Sequence, residues 1–170
     1  ESLLLLAKLG TTAVRTQQFS VHLLAKESYK DLDIARNGKV YEAVFHEVPE
    51  IYGDIELMRQ VLVNLLENAI KYSASKENPK IEFGSFQEKG SLQVSYFIKD
   101  NGVGFEPKYA EKIFGVFERL HPQGSFEGSG IGLSIVKRAM ELQNGSVWAK
   151  SALGRGTTFF FSLPEKSQKE

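Results

Sequence analysis

The segment from Ile55 to Tyr72 constrains the fold most, because it predicts a long helix with two chemically different faces. Asp54 precedes the segment as a predicted N-cap residue. The apolar face carries Ile55, Met58, Leu62, Leu65, Leu66 and Ala69. Asn64, Asn68 and Lys71 form an opposite stripe, because they are spaced at i, i+4 and i+7. Such a helix can pack on a sheet while this polar stripe faces either a ligand or solvent.

The rest of the chain predicts short strands and further helices around this segment. Alternating or β-branched and aromatic composition predicts strands at 39–46, 81–86, 92–99, 146–150 and 157–163. Helical spacing and end signals predict helices at 3–9, 20–29 and 130–143. The elements do not follow a strict βα order, so we expect a layered α/β (α+β) fold with helices on one face of a sheet.

Composition excludes several classes of function. The chain has 170 residues with 21 basic and 21 acidic side chains, so it lacks the basic excess typical of nucleic-acid-binding proteins. Its longest apolar runs are too short to cross a bilayer. The absence of cysteine excludes disulfides and thiolate metal sites and fits a reducing compartment.

A first glycine cluster, Asp100-Asn101-Gly102-Val103-Gly104, closes a predicted strand. A carboxylate at the end of a strand can accept a hydrogen bond from an exocyclic amino group such as that of adenine. Glycines let the backbone approach a flat base closely. The same residue types also make ordinary turns, so a turn without a ligand is the alternative interpretation.

A second glycine cluster, Gly128-Ser129-Gly130-Ile131-Gly132-Leu133, opens a predicted helix. Free N–H groups and the helix dipole make such a helix start favourable for phosphate. The cluster is not a dinucleotide fingerprint, because no clear strand precedes it, and it is not a P-loop, because no Gly-Lys-Ser/Thr follows. Between the clusters, Phe114 and Phe117 are expected to anchor a helical turn beneath a functional loop.

Taken together, these segments resemble the boxes of the histidine-kinase catalytic and ATP-binding domain of the GHKL superfamily. Residues 64–73 resemble the N box, 100–104 the G1 box, 114–117 the F box and 128–133 the G2 box. Residues 154–159 are similar to the last glycine motif before the final strand. The loop segments 117–121 and 126–128 are most similar to the lid of phytochrome-type sensor kinases. Five such segments in this order are far more specific than any one alone.

The resemblance implies a Bergerat fold, which is a two-layer sandwich whose mixed, mostly antiparallel sheet is backed by three helices. Residues 17–164 would form the catalytic ATP-binding domain. Residues 1–16 would be a linker or the tail of a dimerisation and phosphoacceptor helix, and 165–170 a disordered tail. Residues 106–128 would form the ATP lid.

The resemblance also implies a site for ATP and Mg²⁺. Asn64 and Lys71 would be catalytic, Asn68 would ligate Mg²⁺, and Asp100 would bind the adenine amino group. The full set of nucleotide-binding residues would be Asn64, Asn68, Lys71, Tyr72, Asp100, Gly102, Gly104, Phe117, Gly128, Ser129, Gly130, Ile131, Gly132, Leu133 and Thr157. Thr158 is the alternative to Thr157 if the register of the last strand differs by one residue.

The activity implied by the resemblance is that of a histidine protein kinase. This domain would transfer the γ-phosphoryl group of ATP to a histidine on a separate dimerisation and phosphoacceptor hairpin, which in turn would serve a response regulator. We expect no nucleic-acid partner and no membrane segment in this fragment. The expected location is cytoplasmic, with either a soluble or a membrane-anchored parent protein.

The three histidines of the chain lack the phosphoacceptor context of this family, in which a histidine on a helical hairpin precedes an acid. His22 and His121 have no adjacent acid, and His46-Glu47 ends a predicted strand. We therefore expect no autophosphorylation by this chain alone.

Two alternatives stay open at the level of sequence. One is a hydrolysing ATPase of the same superfamily, whose members carry a general-base glutamate where this chain has Asn64. Glu67 lies about 60° from Asn64 around the helix, so water activation is not well supported. The other alternative is a degenerate nucleotide-binding module that serves assembly.

Overall fold

The computed structural model describes residues 2–119 and 130–166. The elements in chain order are α1 Ser2–Leu9, β1 Thr16–Phe19, α2 Val21–Asp31, α3 Asp33–Arg36, β2 Glu42–Phe45, β3 Ile51–Asp54, α4 Ile55–Ser73, β4 Lys80–Gln87, β5 Val94–Asp100, α5 Gly132–Glu141, β6 Ser146–Ala152 and β7 Gly156–Ser162. Two single 3₁₀ turns, Pro107–Tyr109 and Lys112–Phe114, follow β5. No helix in the described ranges is both long enough and apolar enough to cross a bilayer.

The main sheet has five strands in the order β2-β4-β5-β7-β6. Strands β2 and β4 are parallel, and the other neighbours are antiparallel. This topology confirms the prediction of a mixed, mostly antiparallel sheet. A separate two-stranded ribbon is formed by β1 and β3.

Helix α4 is the centre of the helical layer, and it begins as the sequence predicts. The Asp54 Oδ1 atom accepts hydrogen bonds from the N–H groups of Glu56 and Leu57, at 3.0 and 3.1 Å. These bonds satisfy two donors that the first turn cannot pair internally. The predicted apolar face is buried except for Ile55, which is half-buried. Helices α2 and α5 pack on either side of α4, which gives three helices over one face of the sheet.

The N-terminus of α4 is also tied to distant parts of the chain. The second carboxylate oxygen of Asp54 accepts a hydrogen bond from the Arg15 N–H group at 2.8 Å. The Asp54 N–H group donates to the buried Gln143 Oε1 atom at 2.8 Å, just beyond α5. These contacts place the starts of β1 and α4 and the end of α5 at one point.

Several element boundaries differ from the prediction. The predicted strand at 39–46 is shorter, because only Glu42–Phe45 pairs with β4. The ribbon was not predicted, since Thr16–Phe19 is polar and largely exposed and pairs with a segment more than thirty residues away. Leu92 was assigned to a strand but lies outside it and is 77% exposed. The predicted tail, 165–170, is without regular structure at 165–166, and its remaining residues lie outside the described ranges.

We predict that Asp54→Ala lowers the free energy of unfolding by about 1–3 kcal/mol, because it removes the cap of α4 and the acceptor for Arg15. Asp54→Asn should lose roughly half as much, since its amide oxygen can still cap the helix. Chemical denaturation of both variants measures these losses. Asp33→Ala, which removes an exposed carboxylate from an ion pair on α3, is the control and should change stability by less than about 0.5 kcal/mol. A loss at residue 54 no larger than this control would contradict the role given to Asp54.

Candidate functional site

A cleft lies between α4, the start of α5 and the loop that follows β5. It consists of two adjoining cavities of about 230 and 50 Å³. Six residues line both cavities and so join them: Asn68, Tyr72, Ile113, Glu118, Arg119 and Leu133. The larger cavity extends along the polar stripe of α4 towards α5. The smaller one extends towards the end of β5 and the start of β7.

Asp100 lies in the smaller cavity and is 4% exposed. Its Oδ1 atom accepts hydrogen bonds from the N–H groups of Gly102 and Thr157, at 2.8 and 3.4 Å. Within residues 2–119 and 130–166 both of its hydrogen bonds are made at Oδ1, so Oδ2 is left for a ligand. Burial raises the pKa of the Asp100 carboxyl to about 6, although the two N–H groups partly oppose this change. The group is therefore a buried acceptor that is mostly ionised at neutral pH.

Glycine is required where the loop after β5 contacts neighbouring backbone. A Cβ atom on Gly102 would lie 2.3 Å from the Tyr72 carbonyl oxygen at the end of α4. Gly104 has a φ of +63°, and a Cβ atom there would lie 2.1 Å from the Ala152 carbonyl oxygen. These contacts hold the loop between α4 and β6, so side chains at either position would displace the floor of the smaller cavity.

The larger cavity brings the polar stripe of α4 against the first turn of α5. A Cβ atom on Gly132 would lie 2.8 Å from the Asn64 Oδ1 atom, so the two helices meet closely here. The Asn64 amide donates to the Gln60 carbonyl oxygen at 2.7 Å, which fixes its orientation. No side chain in the described part of the chain caps α5, so the N–H groups of its first turn are available to an anion at the cavity wall.

Lys71 and Tyr72 complete this wall at the end of α4. The Lys71 Nζ atom lies 5.0 Å from the centre of the Tyr72 ring, within the range of a cation–π contact. Burial raises the pKa of the Tyr72 hydroxyl above its ordinary value, although nearby Arg119 partly opposes this change. The hydroxyl therefore remains a hydrogen-bond donor at neutral pH.

The cleft collects most of the residues that the sequence predicted for the site. Those that line it are Asn64, Asn68, Lys71, Tyr72, Asp100, Gly104, Gly130, Gly132, Leu133 and Thr157. Gly102 lies behind Asp100, and Ile131 is buried at the start of α5. Thr157, and not Thr158, faces the cavity. Gly128 and Ser129 lie outside the described residues, as does the part of the predicted lid from 120 to 128.

Phe117 is the exception among the described residues. It does not line either cavity, it is 61% exposed, and its φ of 63° is left-handed. Its N–H group donates to the Gly130 carbonyl oxygen at 2.9 Å, so its backbone pairs with the segment that enters α5. The prediction that Phe114 and Phe117 together anchor a helical turn is therefore wrong for Phe117. Phe114 is buried and packs edge-on against Phe159, at 6.1 Å.

Ser151 is a residue of the site region that the sequence analysis missed. Its hydroxyl accepts a hydrogen bond from the Phe105 N–H group and donates to the Gly156 carbonyl oxygen, both at 2.9 Å. It also lies 2.9 Å from the Thr157 hydroxyl. Ser151 thus joins β6, β7 and the loop beneath the smaller cavity. Sequence patterns offered little signal for it, because the predicted strand ended at Lys150, one residue before Ser151.

The residues at the junction of the cavities fit a divalent cation that is shared with a phosphate chain. Asn68 lines both cavities and offers an amide oxygen, and Glu67 beside it lines the larger one. The described part of the chain contains no cluster of three or more acidic or histidine side chains that could hold a metal alone. This pattern suits Mg²⁺, which takes few protein ligands and completes its coordination with phosphate oxygens and water.

Comparison with known proteins identifies relatives that match between two thirds and nearly all of the chain. The family model described as "Histidine kinase-, DNA gyrase B-, and HSP90-like ATPase" matches residues 53–167. The methanogenesis regulatory histidine kinase FilI of Methanothrix harundinacea (strain 6Ac) is 41% identical over 116 residues, which are 68% of this chain and 13% of FilI. Cyanobacterial phytochrome B of Nostoc sp. (strain PCC 7120) is 32% identical over an alignment 171 positions long, which covers 97% of this chain and 22% of that protein.

Solved structures show the same architecture. The crystal structure of full-length ShkA in complex with AMPPNP superimposes with a TM-score of 0.75 at 26% sequence identity. The match covers 96% of this chain and 34% of ShkA. This chain thus spans about a third or less of the length of these three relatives.

We predict that Asp100→Asn stabilises the protein without ligand. An acid whose pKa is higher in the folded than in the unfolded state lowers the free energy of unfolding when it is ionised. This destabilisation is fully present above pH 6 and disappears as the pH falls towards 4. The neutral amide avoids the cost, and the free energy of unfolding at pH 8 should rise by up to about 3 kcal/mol. Denaturation at pH 8 and pH 5 measures the gain, which should shrink by about half at pH 5. A gain that is equal at both pH values would show that charge burial is not its cause.

Proposed function

This chain belongs to the family of histidine kinase-, DNA gyrase B- and HSP90-like ATPases, and we propose that it is the catalytic ATP-binding domain of a two-component sensor histidine kinase. The observation that carries the proposal is that Asp100 and Asn68 line the same cavity, with the amide-rich stripe of α4 leading from there to the start of α5. A single nucleotide can span this arrangement, with its base at one end and its phosphates at the other.

In this proposal the smaller cavity binds adenine. The Oδ2 atom of Asp100 accepts a hydrogen bond from the adenine amino group, and Thr157 lies beside it to assist through a water molecule. Gly102 and Gly104 let the loop after β5 pack directly against α4 and β6, which shapes the floor of this cavity. A buried carboxylate discriminates strongly, because a base without the amino group would leave it unpaired.

The larger cavity then holds the phosphates. The first turn of α5 offers N–H groups and the positive end of the helix dipole, and Lys71 adds a full positive charge. Asn68 is the proposed protein ligand of Mg²⁺, with Asn64 supporting the same end of the nucleotide. The bound metal would neutralise charge on the phosphate oxygens. The segment from 106 to 128 is proposed as the lid that excludes water during transfer.

The proposed reaction is phosphoryl transfer to a histidine. An imidazole nitrogen of the acceptor attacks the γ-phosphorus, the bond to the β,γ-bridging oxygen breaks, and ADP leaves. This domain contributes positioning and charge neutralisation, and a base on the acceptor hairpin takes the imidazole proton. The phosphohistidine then serves a response regulator.

The exposed leucines of the N-terminal helix α1 are consistent with a position next to the acceptor hairpin. Leu3 and Leu4 of α1 are 55% and 59% exposed, whereas Leu9 at its end is buried in this domain. We infer that α1 is the end of the hairpin's second helix, whose exposed leucines continue into the hairpin core.

The amide side chain of Asn64 favours phosphoryl transfer to a protein over hydrolysis of ATP. Hydrolysis requires a base to activate water, and a neutral amide at the position facing α5 cannot take a proton. Hydrolysis is a second candidate because the Glu67 carboxylate also lines the larger cavity. Steady-state release of inorganic phosphate that is lost in Glu67→Gln would favour hydrolysis, whereas a negligible rate in both proteins supports transfer.

Two variants should test the adenine end and the phosphate end of the proposed site independently. Asp100→Asn places an amide donor opposite the adenine amino group, so adenosine and ATP should both bind roughly 100-fold more weakly. Asn68→Ala should leave adenosine binding unchanged and abolish the gain in ATP affinity on adding Mg²⁺. Calorimetric titrations with adenosine, ATP and Mg·ATP measure both effects. Unaltered adenosine affinity in Asp100→Asn, or an unaltered Mg²⁺ effect in Asn68→Ala, would contradict the assigned role.

The proposed function is tested by supplying the acceptor as a second polypeptide. This chain, γ-labelled ATP and Mg²⁺ should transfer label to the parent protein's histidine-bearing hairpin as acid-labile, alkali-stable phosphohistidine. This chain alone should stay unlabelled, and Asp100→Asn should abolish transfer. If Mg·ATP binds normally but the hairpin is never labelled, the transfer proposal is wrong while the nucleotide site stands.

A further inference from the structure

The face of the five-stranded sheet opposite the helices carries a row of aromatic side chains. Phe97 on β5, Phe160 on β7 and Trp148 on β6 are register partners across neighbouring strands. The Trp148 and Phe160 rings are stacked at 5.4 Å with an angle of 10°. Phe86 on β4 meets Phe160 edge-on at 5.8 Å. We call these four side chains the aromatic row.

In the part of the chain that the structure describes, no element packs on this face. Helix α4 contacts both the sheet and the β1–β3 ribbon, so the helices and the ribbon lie together on the other face. Phe86 is 37% exposed, and the other three members of the aromatic row are half-buried. The open face of an antiparallel sheet is usually polar, and a contiguous apolar patch on a surface is typical of an interaction site.

A second row of side chains lies on the same face, two residues along each strand from Phe97, Phe160 and Trp148, and it carries opposite charges at its two ends. The register aligns Glu82 on β4 with Lys99 on β5, then with Thr158 on β7 and Lys150 on β6. Glu82 lies 3.7 Å from His46, at the β2 edge of the sheet. Within the described ranges neither Lys99 nor Lys150 forms an ion pair, and both are exposed. The β4 side of the face thus presents the Glu82 carboxylate, and the β6 edge presents the Lys150 ammonium group.

We propose that this face binds the same face of a second copy of this chain. A two-fold axis parallel to the strands, between β5 and β7, lays β6 of one copy over β4 of the other. Lys150 then faces Glu82 of the second copy, and this pair occurs twice. The same rotation lays Phe160 over Phe97 of the second copy and Trp148 over Gly84, so the two central aromatic rings of the face meet those of the other copy. Sheets stacked in this way lie about 10 Å apart, which side chains of these sizes can fill.

The size of the face sets the expected strength of the contact. The proposed axis overlaps four strands, β4, β5, β7 and β6, which at roughly 4.8 Å spacing and seven residues of roughly 3.4 Å each give a face of about 19 by 24 Å. About 900 Å² would be buried over both copies, which is the size of a weak, transient interface. We therefore expect a reversible dimer that forms in the range of about 10–500 μM. The contact goes beyond the kinase proposal and does not depend on nucleotide chemistry, since the cleft opens elsewhere.

The test is sedimentation of this chain, without nucleotide, up to about 500 μM. The unaltered chain should show a concentration-dependent monomer–dimer equilibrium. Trp148 is the only tryptophan in the chain, so acrylamide quenching of its fluorescence should decrease as the dimer forms. Phe160→Thr should weaken the dimer by at least about tenfold. ATP affinity, measured on the same proteins, should not change and serves as the folding control.

Charge reversal tests the geometry of the pair. Lys150→Glu and Glu82→Lys should each weaken the dimer by at least about tenfold, because each places like charges in contact twice. Mixing the two variants should restore association as a heterodimer, since both pairs are then opposite in charge. The proposal is overturned if the unaltered chain stays monomeric throughout, if charge reversal has no effect, or if mixing fails to restore a dimer that single reversals weaken.

Discussion

Close backbone contact around the end of β5 is the constraint on which the site depends. Gly102 abuts the last turn of α4, Gly104 abuts β6, and a Cβ atom on Gly156 would lie 2.0 Å from the Asp100 carbonyl oxygen. Because no side chain separates these segments, the end of α4, the loop after β5 and the start of β7 meet at one point. Asp100 is held at that point by the N–H groups of Gly102 and Thr157. The position of one carboxylate is therefore set by three elements.

The same arrangement gives α4 two functions at once. Its apolar face packs over the sheet, and its polar stripe forms one wall of the cleft that begins at Asp100. Asp54 fixes where this helix begins, and the contact between Asn64 and Gly132 fixes how closely α5 approaches it. Burying the Asp100 carboxylate costs stability, as its raised pKa indicates, and this cost provides an unpaired acceptor for a ligand. In the proposed function, the local instability at Asp100 and the specificity for adenine have the same physical origin.

Most of the fold was predictable from local patterns, because the apolar spacing and cap of α4 and the alternation in β5 act within one segment. The β1–β3 ribbon was not, since its polar strands are defined by long-range pairing. The polar stripe and glycine clusters predicted which residues line the cleft, because their types match the chemistry of a nucleotide. Ser151 was missed because its importance comes from three neighbours that meet only in the folded chain. Phe117 was wrongly placed as an anchor, because its left-handed backbone turns its side chain outwards.

The central claim is that Asp100 and Asn68 serve opposite ends of one bound nucleotide. Amide NMR during titration with Mg·ATP tests it directly, because Gly102 and Thr157 donate their N–H groups to Asp100 whereas Gly132 and Leu133 begin α5 at the phosphate end. All four amide signals should shift along curves with the same dissociation constant, and adenosine should shift only the first pair. Shifts confined to one pair with Mg·ATP, or two different dissociation constants, would mean that the cleft does not bind a single nucleotide.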